Sequence, residues 1–490
     1  MSVKKEVLGY LPDERPPFFE LILFALQQIV VMFPATVLVA LLTNFHVSTT
    51  IFASGLATLC FILITGKKLP LYYGSSFSYI AAIASIMSAE AFANYTLDER
   101  ISVAQFGIVM SGFVSILAGF IVNKSGKKVI DKILPPSVTG SIAIIIGLSL
   151  AANAMGNAAA VPQYINNNVA EAQAVYDSIE DKNSAEAVEA KDEIEKAEQQ
   201  KAAASNYAWL IAIITLLSTV LYSVYLKGKL SQLPILFGLF TGYLAAVIIG
   251  FATGIQFISF DTIQSNYILN LPKFTLPKPT WAAVLAIMPI AIATIPESTA
   301  HVYQLHIYVN DLVKKKKSTK EYDIESKLGL NLIGDGIGDI VSGLIGGPAG
   351  TNYGENISTM AITKNFSVPV LIAASIITMI ISCFTPLINA VYSIPTCVIG
   401  GLSIYLFGVI GAQGITIMLD KKLDMFSARN LAVIAVILIV GLGGSFNFEG
   451  GMIPMFGAKL PALATAAVIG ILLNLMLSVK NSDNGDAQAA

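Results

Sequence analysis

The sequence predicts an all-α polytopic membrane protein with fourteen transmembrane segments in two inverted repeats of seven. Of its 490 residues, 55% are hydrophobic and only 13% are charged, whereas soluble proteins carry about 25% charged residues. Apolar stretches near the roughly 20 residues that cross a bilayer recur along the whole chain. Two shorter apolar stretches are interrupted in the same way, at Tyr73-Gly74 and at Tyr353-Gly354. This composition excludes the water-soluble class, and no basic stripe indicates nucleic acid as a partner.

Twelve stretches are long enough to span a bilayer as single helices. They lie near 19–43, 48–66, 102–122, 137–156, 207–226, 231–253, 281–303, 327–346, 367–389, 394–417, 429–446 and 460–479. The two interrupted stretches, near 75–92 and 352–365, bring the predicted number to fourteen.

The distribution of basic residues supports this number. If the N-terminus is inside, 22 of the 30 lysines and arginines fall in or beside the inner loops. Lysine and arginine concentrate on the cytoplasmic side of inserted proteins. Omitting either interrupted stretch would invert part of this pattern, so both are predicted to cross or re-enter the bilayer. The prediction is a multi-pass protein of the cell membrane with cytoplasmic N- and C-termini.

Seven segments in each half place the two halves in opposite orientations, because the number is odd. Short residue matches support such an inverted repeat. Four pairs share a spacing of 260 residues: Pro135 and Pro395, Val138 and Val398, Gly140 and Gly400, Ile144 and Ile404. The Tyr-Gly pair recurs at a spacing of 280 residues.

The stretch 157–205 differs from the rest, since it carries ten acidic and four basic residues and is rich in alanine. It predicts a soluble helical hairpin or a mobile outer loop. A surface insertion of this kind is usually tolerated without a role of its own.

Four carboxylates lie inside apolar segments of the second half: Glu297, Asp335, Asp339 and Glu355. His301 follows Glu297 by four positions, which places both side chains on one face of a helix. Charge at membrane depth is expensive and therefore indicates function. A histidine beside a carboxylate can take up or relay a proton near neutral pH, so Glu297 and His301 are the candidates for proton coupling. The alternative for His301 is a hydrogen-bonded packing residue.

The two interrupted stretches predict the complementary chemistry. A helix that starts inside the membrane points free backbone N–H groups and partial positive charge inward. The backbones near Phe77 and Gly354 are therefore predicted donors, and Phe77 can also stack on a flat ring. Together with Glu297 and Glu355, they match a small ring on which N–H donors alternate with carbonyl acceptors. Uracil and the xanthines have such an edge, whereas a carboxylate substrate would meet two negative side chains.

Further polar residues near these stretches are expected to support the site: Ser76, Asp335, Asp339, Tyr353 and Asn356. No metal-ligand spacing, cofactor motif or nucleophile motif accompanies them, so the sequence predicts neither a cofactor nor an enzyme. The run from Gly334 to Gly338 is not preceded by a strand. It therefore predicts close helix packing by small residues and not a nucleotide loop.

The run from Tyr353 to Ile357, continued by Ala361-Ile362-Thr363-Lys364, resembles the signature of the nucleobase–ascorbate transporters, also called nucleobase:cation symporter-2. The run from Tyr73 to Phe77 is similar to the third segment of that family. The N-terminal run Glu14-Arg15-Pro16-Pro17 resembles its bacterial uracil carriers. The resemblance covers nearly the whole chain outside 157–205.

The resemblance implies a core domain, from residues 1–125 and 280–390, that moves against a gate domain, from residues 126–255 and 391–480. It implies a short strand before each interrupted helix. Glu297 and Glu355 match the glutamates that hold the pyrimidine ring, and the backbones at Phe77 and Gly354 match the amides that bind its carbonyls. His301 matches a histidine tied to proton coupling, and members are commonly homodimers.

Two features leave the substrate open. Ser358 stands where the signature has glycine, and Glu297-Ser298-Thr299 reads like the purine and xanthine branch, whereas His301 favours the uracil branch. We expect a secondary active importer of uracil coupled to protons, with sodium as the other possible ion. The alternatives are a xanthine or other purine permease and, from a different class, an anion transporter or channel of the sulfate type.

Overall fold

The computed structural model describes residues 9–126, 132–259, 267–455 and 458–485, and these are mostly helical. The helices are α1 (Phe18–Thr43), α2 (Val47–Ile64), α3 (Ile80–Met87), α4 (Leu97–Ser125), α5 (Pro136–Ser149), α6 (Ala151–Ala158), α7 (Gln163–Ser178), α8 (Ala185–Tyr225), α9 (Pro234–Thr253), α10 (Trp281–Ile287), α11 (Ile290–Lys316), α12 (Leu328–Ile345), α13 (Gly354–Thr363), α14 (Val368–Ile381), α15 (Thr385–Tyr392), α16 (Thr396–Asp420), α17 (Ala428–Asn447) and α18 (Ala462–Gly485). The strands are β1 (Tyr73–Ser75), β2 (Gly350–Asn352), β3 (Met452–Met455) and β4 (Ala458–Pro461).

Helix lies in each of the fourteen predicted stretches. Within the described residues, ten helical stretches are long and apolar enough to cross a membrane. Three shorter apolar helices accompany them, at Phe77–Met87, Val368–Ile381 and Ala462–Ser478. The all-helical polytopic class is confirmed, and so are the short strands before two interrupted helices. Fourteen crossings remain a prediction, and the outermost terminal residues lie outside the described part of the chain.

The chain forms two compact units. The larger comprises Met1–Ser149, Tyr267–Ile388 and Ile410–Ala490, and the smaller comprises Leu150–Asn266 and Asn389–Val409. Each has its own apolar core among its described residues. The division into core and gate domains remains a prediction.

Within the larger unit, the packing follows the predicted repeat. Helices α2 and α12 occupy equivalent positions in the two halves, as do α4 and α14. Accordingly α2 packs on α14, and α12 packs on α4. A Cβ on Gly55 of α2 would lie 2.7 Å from the carbonyl oxygen of Ser375, and one on Gly336 of α12 would lie 2.3 Å from that of Gly112. Only glycine allows the helix backbones to approach this closely. The predicted small-residue packing around Gly336 is therefore confirmed.

The acidic stretch 157–205 forms a helical hairpin in the smaller unit. Helix α7 ends at Ser178, and α8 begins after Ser184, whose hydroxyl accepts the N–H of Ala187 at 3.1 Å. Helix α8 then continues into the apolar stretch predicted at 207–226. Ile165 packs with Ala204 and Ala208 in the apolar core of this unit. The prediction of a hairpin is confirmed.

Candidate functional site

A two-stranded ladder joins the two interrupted segments. Strand β1 pairs antiparallel with β2, and the partners are Tyr73 with Asn352, Gly74 with Thr351 and Ser75 with Gly350. A Cβ on Gly74 would lie 2.3 Å from the Tyr353 ring, and one on Gly350 would lie 2.4 Å from the carbonyl oxygen of Gly74. These glycines permit a close crossing that a larger residue would block. The ladder therefore brings the starts of two half-helices together.

The first half-helix begins with a short 3-10 turn, Phe77–Tyr79, which leads into α3. Ser76 caps this turn, because its Oγ accepts the N–H of Ser78 at 3.3 Å. Phe77 is half-buried at the first position of the turn. The second half-helix, α13, begins at Gly354, which is also half-buried. The first N–H groups of a helix have no partner within it, so both starts can present donors.

Helix α11 presents His301 to the start of α13. The His301 Nε2 atom lies 2.9 Å from the position that a Cβ would occupy on Gly354. The His301 ring also interacts with the backbone of Asn352. Its Nδ1 atom is buried and has no hydrogen-bond partner among the described residues. His301 thus lies beside the second half-helix with one ring nitrogen free to exchange a proton or a hydrogen bond.

Glu297 lies one turn before His301 on the same helix and is half-buried. The Ser78 side chain is close enough to hydrogen-bond to it, and the charges of Glu355 and Asp335 act on it. Glu355 lies in the first turn of α13 and is accessible to solvent, although protein atoms surround it on most sides. Both glutamates therefore lie near the two half-helix starts.

Asp335 of α12 is buried in a network of neutral donors. Its Oδ2 accepts Ser298 Oγ at 2.6 Å and Asn331 Nδ2 at 3.2 Å, and its Oδ1 accepts Asn352 Nδ2 at 2.9 Å. The amide of Asn352 also donates to Asn331 Oδ1 at 3.0 Å. Asp335 therefore links α11, α12 and β2 through its hydrogen bonds.

Asp339, one turn further along α12, contacts both strands. Its Oδ1 accepts the Tyr73 hydroxyl at 2.5 Å and the Gly350 N–H at 2.8 Å. The Tyr79 side chain interacts with the same carboxylate, and its hydroxyl lies 2.5 Å from Ser111 Oγ. Asp339 is thus satisfied by donors from both halves of the chain.

Asn356 and Tyr353 connect α13 to α1. Asn356 Nδ2 donates to the carbonyl oxygen of Gln28 at 3.0 Å and to Gln28 Oε1 at 2.8 Å. The Tyr353 hydroxyl lies 3.0 Å from Thr36 Oγ1 and donates to the carbonyl oxygen of Ser75 at 3.0 Å. These two residues hold the second half-helix in place and do not lie free at its surface.

The elements that carry the residues singled out by the sequence are neighbours, since β1 pairs with β2 and α11 contacts α12, α13, β2 and the turn at Phe77. These residues are Phe77, Gly354, Glu297, Glu355, His301, Ser76, Tyr353, Asn356, Asp335 and Asp339. Their roles in binding and coupling remain predictions. Sequence reasoning missed the partners Gln28, Thr36, Ser78, Ser298, Asn331 and Asn352. Helical spacing relates Asn331 to Asp335, whereas nothing local distinguishes Gln28 or Thr36 from other polar residues of α1.

The arrangement offers both hydrogen-bond acceptors and hydrogen-bond donors. Carboxylates at Glu297 and Glu355 can accept N–H groups, and the two helix starts can donate to carbonyls. No cluster of three or more metal-binding side chains occurs in the described chain.

Comparison with known proteins relates the chain to a family of permeases. A family model described as "Permease family" matches residues 19–177 and 187–450. The uracil permease of Bacillus caldolyticus is 32% identical over 475 residues, which cover 95% of this chain and 94% of that protein. The uracil permease of Escherichia coli K12 is 32% identical over 469 residues, with 95% and 93% covered. A putative pyrimidine permease of the same strain, RutG, is 30% identical, with 96% and 92% covered.

Two solved structures share the fold at low sequence identity. The overall structure of SLC26A9 matches with a TM-score of 0.60 and 13% identity, over 94% of this chain and 65% of that one. The transmembrane domain of the cyanobacterial bicarbonate transporter BicA matches with a TM-score of 0.56 and 13% identity, over 94% and 99%. These matches concern the fold alone. The family match and the full-length relatives show that this chain is a multi-pass membrane permease that belongs to the nucleobase–ascorbate transporter, or nucleobase:cation symporter-2, family.

Proposed function

We propose that this protein imports uracil together with protons across the cell membrane. The observation that carries the proposal is the contrast between two kinds of carboxylate. Asp335 and Asp339 are buried and saturated with protein donors. Glu297 and Glu355 are more accessible, and the hydrogen bonds resolved for them in the described chain come from Ser78 and from the backbone of Glu355 itself. Acceptors left open beside two helix starts suit a ligand that brings its own N–H groups.

Uracil fits this donor and acceptor pattern. Its ring N–H groups would donate to Glu297 and Glu355, and its carbonyls would accept from the backbone near Phe77 and Gly354. The relatives named uracil permeases support this substrate. The sulfate-type alternative shares the fold, but an anionic substrate would be repelled by two carboxylates in a site of low dielectric.

The transport cycle that we propose is alternating access between a core and a gate domain. Uracil binds from outside, and a proton taken up at His301 or Glu297 reduces the negative charge of the site. The loaded core then moves and releases both inward. The free Nδ1 of His301 and its position beside Gly354 support this assignment of the proton. The family resemblance supports a homodimer with cytoplasmic termini, which a native mass measurement and accessibility labelling of the termini would test.

The substitution Glu355→Gln tests the substrate site. It preserves shape but replaces an acceptor oxygen by a donor, so one ring N–H of uracil loses its partner. An unpaired buried polar group costs about 1–3 kcal/mol, so affinity should fall roughly tenfold or more. The control is Glu449→Gln, an exposed glutamate outside the site. Uptake of labelled uracil that is unchanged in Glu355→Gln would remove this residue from the site.

Competition and imposed gradients test the substrate and the ion. Excess unlabelled uracil should suppress uptake of labelled uracil by proteoliposomes, whereas xanthine and guanine should not. Preferential suppression by xanthine would favour the purine alternative. An inward proton gradient should drive accumulation, and a sodium gradient alone should not. Accumulation driven by sodium alone would assign the coupling to sodium.

A further inference from the structure

The β1–β2 ladder is short, so its register needs support from other contacts. Each strand has three residues, fewer than the five or six that are common in strands. Three pairs alone give weak control of register, and a slip of one residue moves a strand by about 3.4 Å and reverses its faces. Such a slip would move the helix start at Phe77 relative to the one at Gly354.

The Asp339 side chain hydrogen-bonds to both strands of this ladder. Asp339 is only 2% exposed, and its Oδ1 accepts from Tyr73 of β1 and from the backbone of Gly350 in β2. In the ladder, Tyr73 is paired with Asn352, and Gly350 is paired with Ser75. The carboxylate therefore joins opposite ends of the ladder as well as the two halves of the chain.

The surroundings of Tyr73 are shaped for this contact. A Cβ on Gly338 would lie 2.6 Å from the Tyr73 ring, and one on Gly350 would lie 2.4 Å from it. The ring therefore occupies a slot between two glycines, with its hydroxyl on Asp339. The backbone of Tyr73 is held from the other side, because Ser54 Oγ and Thr58 Oγ1 each donate to its carbonyl oxygen at 2.9 Å.

The carboxylate of Asp339 is held by hydrogen bonds, and no positively charged side chain in the described chain pairs with it. None of the ion pairs in the described chain includes it. A buried carboxylate in that situation depends on its hydrogen-bond donors. A change in register would withdraw at least one of them, so the carboxylate favours the observed register over its neighbours.

From this geometry we propose that Asp339 is a positioning residue that fixes the two half-helix starts relative to each other and thereby sets the affinity for the nucleobase. It acts through the β1–β2 ladder and does not touch the substrate. The inference rests on the proposed function, since it assumes that the substrate binds at those helix starts.

The test separates positioning from proton transfer and from general stability. Asp339→Asn keeps an oxygen acceptor of the same shape, so it should retain a KM for uracil within about threefold and the normal pH dependence of uptake. Asp339→Leu removes the acceptor, so KM should rise about tenfold or more when both donors lose their partner. Loss of folded protein alone would lower Vmax and leave the KM of the remaining transporters unchanged.

Tyrosine variants keep the test informative if Asp339→Leu does not fold. Tyr73→Phe removes one donor and leaves Gly350 on the carboxylate, so KM should rise by a smaller factor. Tyr243→Phe is the control, because Tyr243 belongs to the smaller unit and its hydroxyl contacts Ser393, at 3.0 Å. The control should keep the wild-type KM.

Several outcomes would overturn the inference. They are an unchanged KM in both Asp339→Leu and Tyr73→Phe, an equal rise in Tyr243→Phe, or loss of pH dependence in Asp339→Asn, which would make Asp339 a proton carrier. A wild-type protein that transports no uracil would instead refute the proposed function.

Discussion

At the scale of single residues, the carboxylates divide by the donors around them. Asp335 and Asp339 are fully engaged with neutral side chains and backbone N–H groups, so they serve the structure of the site. Glu297 and Glu355 keep open acceptor capacity beside the helix starts. Of the four carboxylates, the two glutamates are therefore the ones that we propose to bind a ligand.

His301 is the residue on which we expect pH dependence to rest. Its imidazole lies against Gly354 and keeps Nδ1 without a partner among the described residues. His301→Ala should weaken the pH dependence of uracil uptake, because the site loses a side chain that can bind and release a proton beside the second half-helix. Initial rates measured from pH 5 to pH 8 would show this.

A histidine on the same helix provides the control. His306 is paired with the amide of Asn310, at 3.2 Å from Nδ1. His306→Ala should preserve the pH profile of the wild type. If His301→Ala is driven by a proton gradient as well as the wild type is, the proton is carried elsewhere.

At the scale of helices, close glycine contacts determine how α4 packs on α12. The approach at Gly336 leaves 2.3 Å between a Cβ and the carbonyl oxygen of Gly112. Gly336→Ala should therefore force the two helices apart. Overpacking of this kind typically costs about 1–3 kcal/mol. A lower midpoint of thermal unfolding in detergent would show the loss.

The control for this substitution is Gly443→Ala in α17. A Cβ on Gly443 would meet no atom within 4 Å, and alanine is favoured over glycine in a helix by roughly 1 kcal/mol. Stability should therefore stay the same or rise. Equal destabilisation by both substitutions would contradict the close-packing explanation.

The segment before α1 forms a strap over the ends of α11 and α13. The N–H of Tyr10 donates to the carbonyl oxygen of Lys364 at 2.8 Å, and the N–H of Phe366 donates to that of Tyr10 at 2.8 Å. Lys316 donates to Glu14 Oε2 at 2.6 Å and to the carbonyl oxygen of Gly9 at 2.9 Å. The strap therefore ties the N-terminal segment to two helices of the second half.

The contribution of Asp13 in the strap to stability depends on pH. Burial alone would raise the pKa of Asp13, but hydrogen bonds from Lys320 and Tyr322 outweigh it and hold that pKa below its usual value. The contribution of Asp13 to stability is therefore present at neutral pH and is lost as the pH falls through the lowered pKa. Because the pair is exposed, the contribution is small, about 1 kcal/mol or less.

We expect Lys316→Met to release the strap. The substitution removes the donor to Glu14 and to Gly9 but keeps an apolar stem of similar length, so the N-terminal segment should be cleaved faster by a non-specific protease. Lys315→Met is the control, since in the described chain Lys315 pairs with Asp311 on the surface of the same helix, at 2.5 Å, and not with the N-terminal segment. Equal cleavage of the two variants would show that the strap does not depend on Lys316.

At the scale of the whole molecule, the candidate site and the acidic hairpin belong to different compact units. Every candidate site residue lies in the larger unit, and α7 with the start of α8 lies in the smaller one. The family model omits only residues 178–186 between its two matched ranges. The tip of the hairpin therefore lies outside the family match, as residues 1–18 and 451–490 do.

Replacing residues 171–197 by a short glycine-serine linker should preserve transport. Ile165, Ala204 and Ala208, which form the apolar base of the hairpin, are retained in this variant. Uptake of uracil should stay within about threefold of the wild type, because exposed insertions of this kind are usually tolerated. Loss of uptake in a variant that still folds, judged by its unfolding midpoint, would assign the hairpin a role in transport.

The sequence alone determined the membrane class and the helical stretches. It also proposed the candidate site residues and left 157–205 open between a helical hairpin and a mobile loop. Each of these follows from a local pattern, because the bilayer demands long apolar runs and makes every embedded charge conspicuous. The repeated Tyr-Gly pair located both half-helices, although its two copies are 280 residues apart.

Only the tertiary structure decided which partners satisfy the embedded groups. Gln28 and Thr36 meet α13 across more than 300 residues of sequence, and Asp339 meets Tyr73 across 266. Nothing local marks such pairs, since a hydrogen bond depends on where two backbones are brought in space. The division between occupied aspartates and available glutamates therefore emerges only when the two halves of the chain are packed together.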